Sequence, residues 1–113
     1  MTVTDRNQLP ELLDLIHDHW FNVETVTLDH ASKLVSFRVE PRHAALAKGS
    51  PDGVMVVIKN VDDLEIKDTE KVRDYNINEI KFDPETRTLV LTGGVPIELV
   101  FHVTDLEIHA SKP

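Results

Sequence analysis

The sequence predicts a mainly β fold: an antiparallel barrel or sandwich of two duplicated β units, about eight strand segments in all, with one N-terminal helix. Three observations carry this expectation. The run Phe21 to Asp29 returns as Tyr75 to Asp83, and Val61 to Ile66 returns as Val103 to Ile108. A recurring pattern of apolar and polar positions marks a repeated structural unit. Each copy also holds a turn signal between two β-rich runs, and only one stretch of the chain has a helical period. Two antiparallel units with one apolar face each must cover one another or share one closed sheet. Closure also protects strand edges from stray pairing.

Residues 1–8 are polar and read as a frayed end. Leu9, Leu12, Leu13, Ile16 and Trp20 then recur at three- and four-residue steps, which lines one face of a helix over about 9–19. Pro10 suits a first helical turn, where its missing N–H costs nothing. Glu11 and Asp14 suit the positive end of the helix dipole.

Beyond the helix the pattern becomes that of strands. Asp29 to Lys33 and Asp83 to Arg87 read as hairpin turns, in which an Asp carboxylate caps its own backbone and Pro84 presets a type I dihedral. The expected segments are 21–29, 33–40, 54–61 and 64–68, matched by 75–83, 87–92, 96–103 and 105–110. The first strand of each copy breaks phase, because Val23 to Val26 and Ile77 to Ile80 are three-residue steps. A period-2 strand puts residues three apart on opposite faces. A bulge or corner restores them to one core, so a bend is expected in both copies. Val61 to Leu64 and Val103 to Leu106 repeat the three-residue step.

Tyr75 follows Phe21 by 54 residues, whereas Val103 follows Val61 by 42. The first copy therefore carries about 12 extra residues, which fall at Pro41 to Asp52. The expected organisation is one domain over 1–113, with repeat one at about 21–70 and repeat two at about 75–112.

Composition narrows function without naming it. The chain lacks cysteine, which removes disulfides, thiolate nucleophiles and Cys-based zinc sites and fits a reducing, cytoplasmic setting. No secretory leader is visible, and Val54 to Ile58 is far too short to span a bilayer. The formal net charge of −8 and the scattered Lys and Arg argue against nucleic-acid binding; the charge suits solubility first, and a basic protein partner or a second subunit is the alternative. No membrane association is expected.

Candidate chemistry is sparse. His17 and His19 flank Asp18, but on a helix their side chains diverge and cannot easily share an ion. His43, His102 and His109 could join a site only through the fold. Asp63 with Glu65, and Asp105 with Glu107, alternate with Leu64, Ile66, Leu106 and Ile108, which makes the acids the solvated face of each strand. Asn22 and Asn76 recur where a bend would leave backbone groups to satisfy. Ser32, Ser36, Ser50 and Ser111 lack a nucleophile elbow, and Gly93-Gly94 is no phosphate loop. No catalytic residue, metal ligand or cofactor is assigned. Features that only one copy carries are the better place for a task, and these are Trp20 with the helix, and Arg42 and His43 with Leu46 in the insertion, which reads equally as a tolerated, mobile loop. The expectation is a small acidic, non-enzymatic binding or interaction module. The alternative is a small-molecule or metal-binding β domain, enzymatic or not, that uses the histidines around the helix.

Overall fold

The computed structural model describes residues 1–47 and 51–112. Ten strands form two antiparallel sheets: β1 (Thr2–Val3), β2 (Trp20–Asn22), β3 (Leu28–Asp29), β4 (Leu34–Val39), β5 (Val54–Ile58), β6 (Val61–Lys67), β7 (Asp74–Asp83), β8 (Thr88–Gly93), β9 (Glu98–Val103) and β10 (Ile108–Ser111). One sheet runs β1-β10-β5-β4-β3 and the other β2-β7-β8-β9-β6. The mainly β, two-layer architecture with one N-terminal helix is the one the repeated pattern predicts.

The two units trade their last strands. β3, β4 and β5 form a meander in the first sheet, and β7, β8 and β9 form one in the second. β6 then crosses to pair with β9, while β10 crosses back to pair with β5. The crossings lie side by side, since Lys59 N–H donates to Glu107 O at 2.9 Å and Thr104 N–H donates to Asn60 O at 3.0 Å.

Repeated residues take matching roles. Asp29 Oδ1 accepts from Ala31 N–H at 3.0 Å, and Asp83 Oδ1 accepts from Glu85 N–H at 2.9 Å. Each turn ends on a left-handed residue, Lys33 with φ 56° and Arg87 with φ 54°. The carbonyls of those residues accept from Val61 N–H at 2.9 Å and Val103 N–H at 3.0 Å. Phe21 pairs with Tyr75, its own counterpart, flanked by Trp20 with Asn76 and Asn22 with Asp74. Phe21 and Tyr75, both wholly buried, therefore face one another across the β2–β7 pair.

The bends predicted from phase are present in different forms. In the first copy the strand breaks into β2 and β3 around a 3₁₀ turn at Val23–Thr25, capped by Asn22 Oδ1 accepting from Glu24 N–H at 2.9 Å. In the second it stays one strand, β7, with a register shift between Ile77 and Glu79. Asn76 there accepts from Val95 N–H at 2.9 Å. β6 shifts register between Val61 and Asp63, and the equivalent stretch of the second copy breaks between β9 and β10.

Three expectations are corrected. The helix α1 spans Leu9–Ile16 rather than 9–19. Asp18 turns left-handed with φ 60°, its N–H donates to Ile77 O, and Ile77 N–H donates to His19 O. Pairing with β7 thus takes up residues 18 and 19, and Trp20 begins β2 instead of closing the helical stripe. The N-terminus is not frayed. Thr2 and Val3 pair with β10, and Val3 is fully buried. Asp5 and Gln8 then form a capping box, with Asn7 N–H donating to Asp5 Oδ1 at 2.8 Å and Asp5 N–H to Gln8 Oε1 at 3.1 Å. Finally, Ile66 does not point into the core. It is 38% exposed and Leu64 is half-buried, while their counterparts Leu106 and Ile108 are buried.

Side chains from α1 and from both units form one core cluster that includes Leu12, Ile16, Phe21, Phe37, Tyr75 and Phe101. Among the described residues no helix is long and apolar enough to cross a membrane.

Candidate functional site

The two sheets meet where β2 passes the end of β4. Trp20 N–H donates to Glu40 O at 2.6 Å and Glu40 N–H donates to Trp20 O at 2.8 Å, so β2 is bonded to β7 on one side and to Glu40 on the other. The extra segment of the first copy starts here. Its described part holds a 3₁₀ turn over His43–Ala47, and Lys48, Gly49 and Ser50 lie outside the described residues.

Two of the three candidates from sequence come together at this corner. The His43 ring stacks on Trp20, with centroids 4.4 Å apart and planes 14° apart. His43 Nε2 lies 3.0 Å from Asp74 Oδ2. Arg73 binds the same carboxylate with two N–H groups, at 3.1 Å each. Burial pushes the Asp74 carboxyl up, but Arg73 and His43 outweigh it and hold the group below the ordinary carboxylate value. The Asp74 carboxylate in turn raises Arg73. Arg42 is exposed, and its guanidinium joins neither the Trp20–His43 stack nor Asp74; its carbonyl accepts from Ala45 N–H at 3.1 Å.

The structure adds a residue that the sequence reading missed. Glu40 is 1% exposed and is the one buried charged side chain among the described residues. Its Oε1 accepts from Arg38 Nε. Its Oε2 is buried and has no hydrogen-bond partner among the described residues. Gly53 lies against this pair: a Cβ there would sit 2.7 Å from Glu40 Oε2 and 2.8 Å from Arg38 Nη2, so only a glycine backbone fits without displacing them. The signal was faint. Arg38 and Glu40 are two apart and share a strand face, but nothing in the pattern said that β2 and the following segment would cover that face.

Beside Glu40 opens a pocket of about 340 Å³, walled by Thr25, Phe37, Leu46 and Met55, with Arg38 and Glu40 at its polar side. Larger hollows occur elsewhere. One of about 450 Å³ lies between Arg6, Pro10 and Leu13 of the N-terminal region and Phe82 of β7, and one of about 480 Å³ lies around Lys81, Thr88 and His102. Neither is lined by a buried polar group. Of these three hollows, the Glu40 pocket is the one in which an apolar wall meets a buried side chain with an unpartnered oxygen.

The remaining histidines are dispersed. His17 lies 3.6 Å from Asp18, His102 lies 2.9 Å from Glu65, and His109 lies 2.7 Å from Glu107. His102 holds the Glu65 carboxyl below its ordinary value, and His109 does the same for Glu107. The helical-wheel reason for separating His17 and His19 does not apply, because both lie beyond α1; His19 Nδ1 sits 3.2 Å from His17 O. Among the described residues no three His, Asp or Glu side chains gather as metal ligands. The geometry offers ion pairing and apolar contact at the Trp20–Glu40 corner. No family model, no curated protein and no solved structure matches this chain.

Proposed function

We propose that this chain is a non-enzymatic binding module that engages a basic protein partner through the corner where residues 41–47 lie beside β2 and Glu40. The observation that carries the reading is the buried Glu40 carboxylate, with one oxygen unpartnered among the described residues, beside an apolar pocket. Arg38 pairs one oxygen of the carboxylate, and the other keeps the desolvation cost of a buried acceptor without a donor. A ligand that brings a donor recovers that cost, so the site is better suited to being occupied than empty. The net charge of −8 favours encounter with a cationic partner. The Trp20–His43 stack gives the corner an aromatic anchor of the kind that concentrates binding energy at interfaces.

Affinity capture with three tagged forms tests this: wild type, Leu46→Arg at the pocket wall, and Glu85→Ala in the remote β7–β8 turn. A species held by wild type and Glu85→Ala but released by Leu46→Arg is the expected result. Equal capture by all three forms would move the binding surface elsewhere. A native-mass measurement that finds a tightly held metal ion would favour the histidine-based alternative.

A further inference from the structure

We infer that the pocket beside Glu40 is a socket for a lysine side chain of the partner; this deepens the binding reading and rests on it. Phe37, Leu46 and Met55 line the pocket with hydrocarbon and sulfur, and Glu40 stands at its polar side. A lysine has the same division, an apolar four-carbon stem and a compact ammonium head. Glu40 Oε1 is already taken by Arg38, which leaves Oε2 as a single acceptor. One acceptor suits a point charge. A guanidinium, whose planar fork asks for two oxygens side by side, would have to displace Arg38.

Oε2 is buried against Gly53, which lies outside the pocket lining. The terminal torsion of a glutamate is broad, so a turn of the carboxylate presents an oxygen to the pocket while the other stays with Arg38. A carboxylate with a cation on each oxygen is satisfied on both sides. Arg38 does not exclude the second cation, because its side chain is 36% exposed and water screens it.

Three four-carbon probes separate the contributions: n-butylammonium, 1-butanol and butyrate, each titrated into the full chain while the methyl signals of Leu46 and Met55 are followed by NMR. Butylammonium should shift both residues saturably and bind at least 10-fold more tightly than 1-butanol. Glu40→Gln should bring those two affinities together while 1-butanol still binds. Leu46→Trp, which leaves Glu40 in place and fills the pocket, should abolish both and provides the test if Glu40→Gln fails to fold. Equal binding of butylammonium and 1-butanol to wild type would make the pocket merely apolar and overturn the socket. Tighter binding of butyrate would assign the pocket to Arg38 and overturn it as well. No binding of any probe, with Leu46→Arg still releasing the captured species, would overturn the lysine socket and leave the binding module intact.

Discussion

At the scale of single residues, the two copies of one motif have parted company. Leu64 and Leu106 occupy equivalent places in the sequence, yet Leu106 is 8% exposed while Leu64 is only half-buried. Leu64 lies in β6, the outermost strand of its sheet, whereas Leu106 lies in the connection between β9 and β10 and joins the core cluster. Leu106→Ala should therefore cost about 2–5 kcal/mol. Leu64→Ala should cost distinctly less, and Ile66→Ala should stay within about 0.5 kcal/mol. Chemical denaturation of the three variants measures the order, and equal losses at Leu64 and Leu106 would contradict it. A second residue-scale expectation concerns Arg87, held at φ 54° at the end of the second hairpin turn. Only glycine adopts that region without a steric penalty of about 1–2 kcal/mol. The added freedom of glycine in the unfolded chain offsets part of the relief, so Arg87→Gly should raise stability by up to about 1 kcal/mol.

Elements were legible to the extent that their signals are local. The alternation of Val35, Phe37 and Val39, the two Asp-led turns and the helical stripe from Leu9 to Ile16 each follow from short-range geometry. The boundaries were set by partners elsewhere in the chain. α1 stops at Ile16 because Asp18 and His19 bond to Ile77, more than fifty residues away. The N-terminal end is ordered because β10 arrives to pair with it, although the Asp5–Gln8 capping box was readable from spacing alone. Asp5→Ala should lower stability by about 0.5–2 kcal/mol. His43, in the described part of the 41–52 segment, stacks on Trp20. The chain has a single Trp, so fluorescence reports this contact directly. His43→Ala should shift Trp20 emission to the red and increase its quenching by acrylamide. Replacing 41–52 by Gly-Gly should give the same signature while leaving a cooperative transition, because among the described residues the core cluster is built outside this segment. An unchanged emission spectrum in both variants would mean that the stack does not persist in solution.

For the whole molecule, charge sets a pH window. The carboxyls of Asp29, Asp62, Glu65 and Glu107 are lowered chiefly by side-chain hydrogen bonds, from Ser32, Lys33, His102 and His109 respectively. Asp74 is lowered by Arg73 and His43 despite its burial. A group whose folded pKa lies below its unfolded value binds fewer protons when folded. Its contribution is present above the ordinary carboxylate values of 3.8 and 4.5 and disappears as the pH falls through the folded ones. Acid also relieves the repulsion of a chain with net charge −8, which opposes the loss at first. The denaturation midpoint should accordingly fall steeply only below about pH 4. Asp62→Asn should flatten that fall, since Asp62 ties the first turn to β6 and Thr104 through Lys33 Nζ and Thr104 Oγ1, each at 2.9 Å. A midpoint that drops as much between pH 7 and pH 5 as between pH 5 and pH 3 would show that other groups control the window.

The sequence by itself determined the mainly β architecture, the repeated turns, the two phase breaks and the place of the extra segment. These depend on periods of two and 3.6 residues and on the local hydrogen bonds of Asp and Asn, which a chain carries wherever it folds. Only the tertiary structure decided where α1 ends, which copy's leucine is buried, that the last strands are exchanged between the sheets, and that Glu40 is enclosed at the Trp20 corner. Each of those depends on which distant segment lies alongside. Burial is a property of the covering partner as much as of the residue covered, and a glutamate two positions from an arginine on one strand looks the same in sequence whether water or a second sheet lies over it.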